Sequence, residues 1–163
     1  MSAFKEEIMR PNRQSPEVIK AVVEKLYPKC KAWIKAGNVD DDEESTKEEL
    51  ADALRRCWFW DGYELAKYLD DWSPDASLVD ILDNADRYCA TPLKGLEREY
   101  AKTLKPLFRV GDRVTLPRES VCGEITSLDD TGHYHIYSEI LGHVKEGSGV
   151  HAVIYRWEDI DEA

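Results

Sequence analysis

The stretch Lys105-Pro106-Leu107-Phe108-Arg109-Val110-Gly111-Asp112-Arg113-Val114-Thr115-Leu116-Pro117 is where this chain changes its period. Phe108, Val110, Val114 and Leu116 alternate with Arg109, Gly111, Arg113 and Thr115, the two-residue repeat of a strand. Before Lys105 the apolar residues recur at three- and four-residue spacing, the repeat of a helix. The switch divides the 163 residues into a flexible N-terminus over 1–14, a helical domain over 15–104 and a β domain over 105–163.

Upstream of the switch, a hydroxyl residue stands before proline three times: Ser15-Pro16, Ser73-Pro74 and Thr91-Pro92. Serine or threonine caps the first free amides of a helix, and proline loses nothing at the first helical position. A stripe of Val18, Ile19, Val22, Val23, Leu26, Tyr27, Cys30, Trp33 and Ile34 follows the first pair. It keeps phase across Pro28, so a kink or short break is expected there, and Gly37 fits the helix stop. Ser45 and Glu48 read as a capping box for a helix with Leu50, Ala53, Leu54, Cys57 and Trp58. A short helix over Leu65–Trp72 and one helix after each of the remaining proline pairs complete a bundle of about five.

Downstream, the strand through Leu116 is followed by a run from Val121 to Leu128, the turn Asp129-Asp130-Thr131-Gly132 and a third strand, His133 to Glu139. The loop Gly142 to Gly149 leads to a fourth strand, Val150 to Trp157, and Glu158-Asp159-Ile160 adds a last turn or a very short fifth strand. Several short strands in so few residues predict a small closed antiparallel barrel, because closure removes exposed edges. The fold class is α+β.

Formal net charge is −11. Residues 105–163 hold six Lys or Arg against eleven Asp or Glu, and the preceding part holds sixteen against twenty-two, so both halves are acidic. Such a surface repels phosphate backbones and anionic lipid, which argues against direct nucleic-acid or membrane binding. No run of apolar residues is long enough for a bilayer, and the early acids Glu6 and Glu7 do not fit a signal peptide. Cys30, Cys57, Cys89 and Cys122 form no close pair and read as free thiols of a cytoplasmic protein.

The segment Val110-Gly111-Asp112-Arg113-Val114, followed by Gly123-Glu124-Ile125 and a turn, resembles the opening of Tudor, KOW and other Src-homology-3-like barrels. The resemblance covers the C-terminal third and implies a fold that serves peptide binders, nucleic-acid binders and structural modules alike. In size and acidity the whole chain resembles small accessory proteins of phages and mobile elements, including anti-CRISPR and antirestriction inhibitors.

Four constellations can carry function. His133 and His135 share one face of a strand, and with His151 or Cys122 they supply three ligands of a zinc site; the bland alternative is a pair of surface histidines. Tyr134, Tyr137, Tyr155 and Trp157 lie on adjacent strands, either as core or as the rim of a peptide groove. Asp40-Asp41-Asp42-Glu43-Glu44 opens an acidic region with Glu48, Glu49 and Asp52 just after it, and Asp61, Glu64, Asp70, Asp71, Asp75, Asp80, Asp83 and Asp86 continue the density; it reads either as a negative partner surface or as a solvated loop and ordinary helix surfaces. Trp58-Phe59-Trp60 cannot all be buried on one helix face, so at least one packs under the barrel or marks a partner surface.

No GxSxG, phosphate-cradling glycine loop, HExxH or CxxC is present, so no catalytic residue and no cofactor is assigned. The function expected is that of a non-enzymatic protein-binding protein. Its acidic surface, centred on Asp40, Asp41, Asp42, Glu43 and Glu44, docks on a basic groove and blocks nucleic acid there, with Trp60, Tyr155 and Trp157 as further contact candidates. Two alternatives stay open: a peptide-binding adaptor using the barrel aromatics, and a metal-dependent or cysteine enzyme.

Overall fold

The computed structural model describes residues 9–37, 42–141 and 153–160. Asp40, Asp41, His151 and the whole of the Gly142–Val150 region, His143 included, lie outside them. The chain divides into two compact units, 1–95 and 96–163, each with its own core.

The first unit is helical. α1 spans Pro16–Gly37, with the Ser15 carbonyl accepting from the Val18 and Ile19 amides at 3.0 and 3.1 Å. It runs through Pro28 as one helix, so no break occurs at the proline. Eight stripe residues from Val18 to Ile34 are buried, and Trp33 is half-buried. α2 spans Glu43–Arg56. It starts two residues before Ser45, because the Asp42 carboxylate, not Ser45, caps it by accepting from the Ser45 amide at 3.0 Å.

The same device opens the next two helices. Asp61 caps α3, Gly62–Ala66, through the Glu64 amide at 2.9 Å. Asp75 caps α4, Ala76–Leu82, through the Leu78 amide at 3.0 Å. Between α3 and α4 the chain winds as a 3₁₀ turn, Lys67–Trp72, ended by Ser73 at a φ of +50°. The expected helix start at Ser73-Pro74 therefore moves to Asp75. α3 and α4 meet closely at Gly62, where a Cβ would stand 2.0 Å from the Val79 carbonyl oxygen.

α5 spans Ala85–Ala101 and contains Thr91 and Pro92. The expected helix start at Thr91-Pro92 is corrected: the break lies at Asp83-Asn84, where the Asn84 side-chain amide donates to the Asp80 and Ile81 carbonyls, each at 3.1 Å. The division between the units falls inside α5, after Gly95.

The second unit carries an antiparallel sheet in the order β1-β2-β3-β4: Arg113–Thr115, Cys122–Leu128, His133–Tyr137 and Val153–Arg156. The first strand is much shorter than its alternation predicted. Asp112 accepts from the Arg109 amide at 2.7 Å and Gly111 has a φ of +94°, so 109–112 is a turn and Val110 is exposed. Among the described residues the sheet is open, with β1 and β4 at its edges. A 3₁₀ turn, Trp157–Asp159, follows β4 as the expected last turn. The core gathers Val114, Leu116, Ile125, Tyr134, Ile136, Tyr155 and Ile160. Phe108 and Trp157 pack their rings about the Tyr134 ring at centroid distances of 6.1 and 6.2 Å.

Candidate interaction site

The described part of the acidic run, Asp42-Glu43-Glu44, is the cap and first turn of α2. Negative charge there meets the positive end of the helix dipole, which stabilises such residues by roughly 0.3–1 kcal/mol each. Glu43 is also paired with Lys47 at 3.0 Å, and Lys47 reaches Glu24 at 3.2 Å.

Beyond this turn α2 presents Ser45, Glu48, Glu49, Asp52 and Arg56 to one side, at helical spacing. Facing them, the 3₁₀ turn contributes Lys67, Tyr68, Leu69, Asp70 and Asp71, and the two walls enclose an open cleft of about 810 Å³. Trp72 holds the walls together. Its ring is buried against Trp33 at 6.4 Å, and its indole N–H donates to Glu49. Five carboxylates line the cleft against two cations. Glu48 is paired with Arg55 at 2.8 Å and Asp52 with Arg56 at 3.4 Å, while Lys67 turns to Glu64 at 2.7 Å. Asp70 and Asp71 are exposed and have no ion pair among the described residues. The carboxylates are spread along the walls, and among the described residues no group of three His, Cys, Asp or Glu side chains is placed to hold a metal ion.

Trp60 leaves the set of contact residues. It is 3% exposed, and its indole N–H donates to the Leu54 carbonyl at 3.0 Å. The Arg13 guanidinium covers its ring at 5.6 Å. The residues that point away are Trp58 and Phe59, 79% and 67% exposed, which flank a hollow of about 350 Å³ with Asn12, Arg13 and Gln14. Gln14 anchors that wall by donating to the Leu54 carbonyl at 3.1 Å.

Tyr155 also leaves the set. It belongs to the sheet core, and its hydroxyl accepts from the Arg118 amide at 3.2 Å and donates to Glu119. Trp157 is half-buried against the same core, and its indole nitrogen is buried without a hydrogen-bond partner among the described residues. Of the four strand aromatics, Tyr134 and Tyr155 belong to the sheet core and Trp157 packs against it.

His133 and His135 do share the outer face of β3. What joins them is Asp129. It meets His135 Nε2 at 2.9 Å and His133 Nδ1 at 3.4 Å, and it accepts from the Thr131 hydroxyl at 2.8 Å. Burial opposes ionisation of Asp129, but hydrogen bonds from His135, Thr131 and the His133 backbone outweigh it and hold the carboxyl down to about 2. Sequence reading took Asp129 only as a turn residue. The signal for the cluster was proximity in the chain, because Asp129 and Thr131 sit in the turn that leads directly into the strand bearing His133 and His135.

Cys30, Cys57 and Cys89 are buried and Cys122 is exposed; all four are free thiols. Burial pushes the Cys30 thiol up to about 12, which keeps it unreactive. No hydrogen bond joins Cys122 to a histidine among the described residues. No helix among them is long and apolar enough to cross a membrane.

No protein-family model, curated protein or solved structure matches this chain.

Proposed function

We propose that this is a non-enzymatic protein-binding protein whose acidic helical face occupies a basic site that otherwise receives nucleic acid on its partner. The observation that carries the reading is the cleft along α2, where Glu48, Glu49, Asp52, Asp70 and Asp71 face Arg56 and Lys67. Carboxylates spaced along two walls present a row of negative charge, as a nucleic-acid backbone does, without the convergence a metal ion needs. The acidic turn Asp42-Glu43-Glu44 extends that charge toward the N-terminal end of α2. The type of protein this reading fits is the small acidic inhibitor carried by phages and mobile elements, which the chain resembles in size and charge. The antiparallel meander with its Asp129–Gly132 turn supports reading the second unit as a Src-homology-3-like barrel.

The test is an affinity measurement against the partner captured from the native host, with DNA or RNA as competitor. Replacement of Asp40, Asp41 and Asp42 by Asn should weaken binding, and nucleic acid should displace the wild type. Asn caps a helix about as well as Asp, so the substitution at position 42 removes charge and leaves the cap of α2 in place. Unchanged affinity in this variant, together with no displacement by nucleic acid, sinks the proposal.

A further inference from the structure

We propose that the pocket beside β4 is a receptor for a single carboxylate on a peptide, gripped by Arg118 and Arg156 next to His133. The pocket, about 560 Å³, is lined by Pro117, Arg118, His133, Ile154, Tyr155, Arg156 and Asp159. Two guanidinium groups and an imidazole thus meet one carboxylate in a chain of net charge −11.

Arg118 is the centre of the argument. Its guanidinium lies 4.6 Å from the Tyr155 ring centroid, and its Nε donates to the Tyr155 hydroxyl at 3.3 Å. Tyr155 is 2% exposed and fixed in the sheet core, so the arginine is held by a rigid platform. Among the described residues no carboxylate lies within 4.0 Å of this guanidinium, and its two terminal nitrogens have no hydrogen-bond partner. An arginine already immobilised with its fork free loses little further entropy when a carboxylate docks in bidentate fashion.

The neighbours are arranged in keeping with this. Asp159 is occupied by Arg156 Nε at 2.9 Å, which leaves the terminal nitrogens of Arg156 for a ligand. Glu119 accepts from the Tyr155 hydroxyl. His133 spends Nδ1 on Thr131 at 2.9 Å and on Asp129 at 3.4 Å, which leaves Nε2. Pro117 and Ile154, the latter 51% exposed, offer apolar wall to the residues flanking the carboxylate. A nucleic acid brings many charges to an acidic chain and is repelled, whereas one carboxylate between apolar side chains matches both the charge and the walls.

The probe is the blocked tripeptide acetyl-Leu-Glu-Leu-amide, titrated into the full chain and followed by amide NMR beside its glutamine counterpart, inorganic phosphate and a single-stranded oligonucleotide. The glutamate peptide should shift the Arg118, Ile154 and Arg156 amides, with the glutamine peptide at least about tenfold weaker. Arg118→Lys keeps the charge and loses the fork, so it should weaken the glutamate peptide by about tenfold while the rest of the spectrum stays in place. Arg156→Lys gives the same readout should the first variant not fold. Equal binding of the glutamine peptide, binding of phosphate or oligonucleotide in preference to the peptide, or wild-type affinity in the lysine variants overturns the assignment.

Discussion

The cleft along α2 is lined mostly by acids and the pocket beside β4 mostly by bases, although the two halves of the chain are almost equally acidic. In the cleft five carboxylates face two cations, and in the pocket three basic side chains face one carboxylate. Net charge therefore predicts the long-range field of each half but not what its concave surface can bind. The difference arises from what holds the side chains. The cleft acids project from α2 and a 3₁₀ turn at helical spacing, whereas Arg118 is pinned to a buried tyrosine.

The comparison fails if either surface lacks a firm base, so the largest effects belong to the cores. Trp60→Ala in the helical unit and Tyr134→Ala in the sheet unit should each cost about 3–5 kcal/mol in urea unfolding. Both rings are buried, and the Tyr134 hydroxyl also accepts from the Phe108 amide at 3.2 Å. A loss below about 1 kcal/mol at either site would remove that side chain from the core described here.

Asp129 makes the stability of the sheet unit depend on acid. Its folded carboxyl sits near 2, below the usual carboxylate range, so it contributes stability that is complete above about pH 4. That contribution is lost as pH falls from about 4 toward about 2. Because the carboxyl is partly exposed, screening leaves it on the order of 1 kcal/mol. Asp129→Asn should remove it at neutral pH and flatten the acid dependence of the urea midpoint between pH 5 and pH 2. An unchanged pH profile would show that the two histidines do not stabilise this carboxylate.

Asp42 separates structure from charge within the acidic face. Asp42→Ala should destabilise the helical unit by about 1 kcal/mol, and Asp42→Asn by close to nothing. Equal losses in the two variants would mean that charge and not capping explains this residue. A small effect is also expected of Trp58→Ala, which should stay within about 0.5 kcal/mol of wild type in urea unfolding because the ring is 79% exposed.

Much of this fold was legible before the structure. The period change near Lys105, the α1 stripe and the turn Asp129–Gly132 all rest on local repeats that tertiary packing reinforces. Helix starts were less legible, since Ser15 lies at the start of α1 but Asp42 and Asp75 took the caps expected of Ser45 and of Ser73. The reading counted those aspartates as surface charge, and aspartate serves both purposes. Thr91-Pro92 misled because proline within a helix loses one hydrogen bond, a cost that the packing of Cys89 before it and Ala101 after it offsets.

The sites divide in the same way. The acidic density was visible as composition, but its gathering into a cleft needed the 3₁₀ turn to face α2. Trp60 was chosen from a row of aromatics that one helix face cannot bury, and Tyr155 and Trp157 as strand aromatics at the rim of a groove; burial claims Trp60 and Tyr155. The Arg118 pocket had no local signature, because Pro117, His133 and Arg156 come from separate parts of the sheet unit.

The acidic cleft is tested most directly by the triple variant Asp52→Asn, Asp70→Asn and Asp71→Asn, compared with wild type for partner affinity at low and moderate salt. None of the three caps a helix, and none holds Trp72, so the fold should be kept. The account predicts at least tenfold weaker binding and a shallower dependence on salt, since the charges that oppose a basic groove are gone. Wild-type affinity with an unchanged salt slope would contradict it.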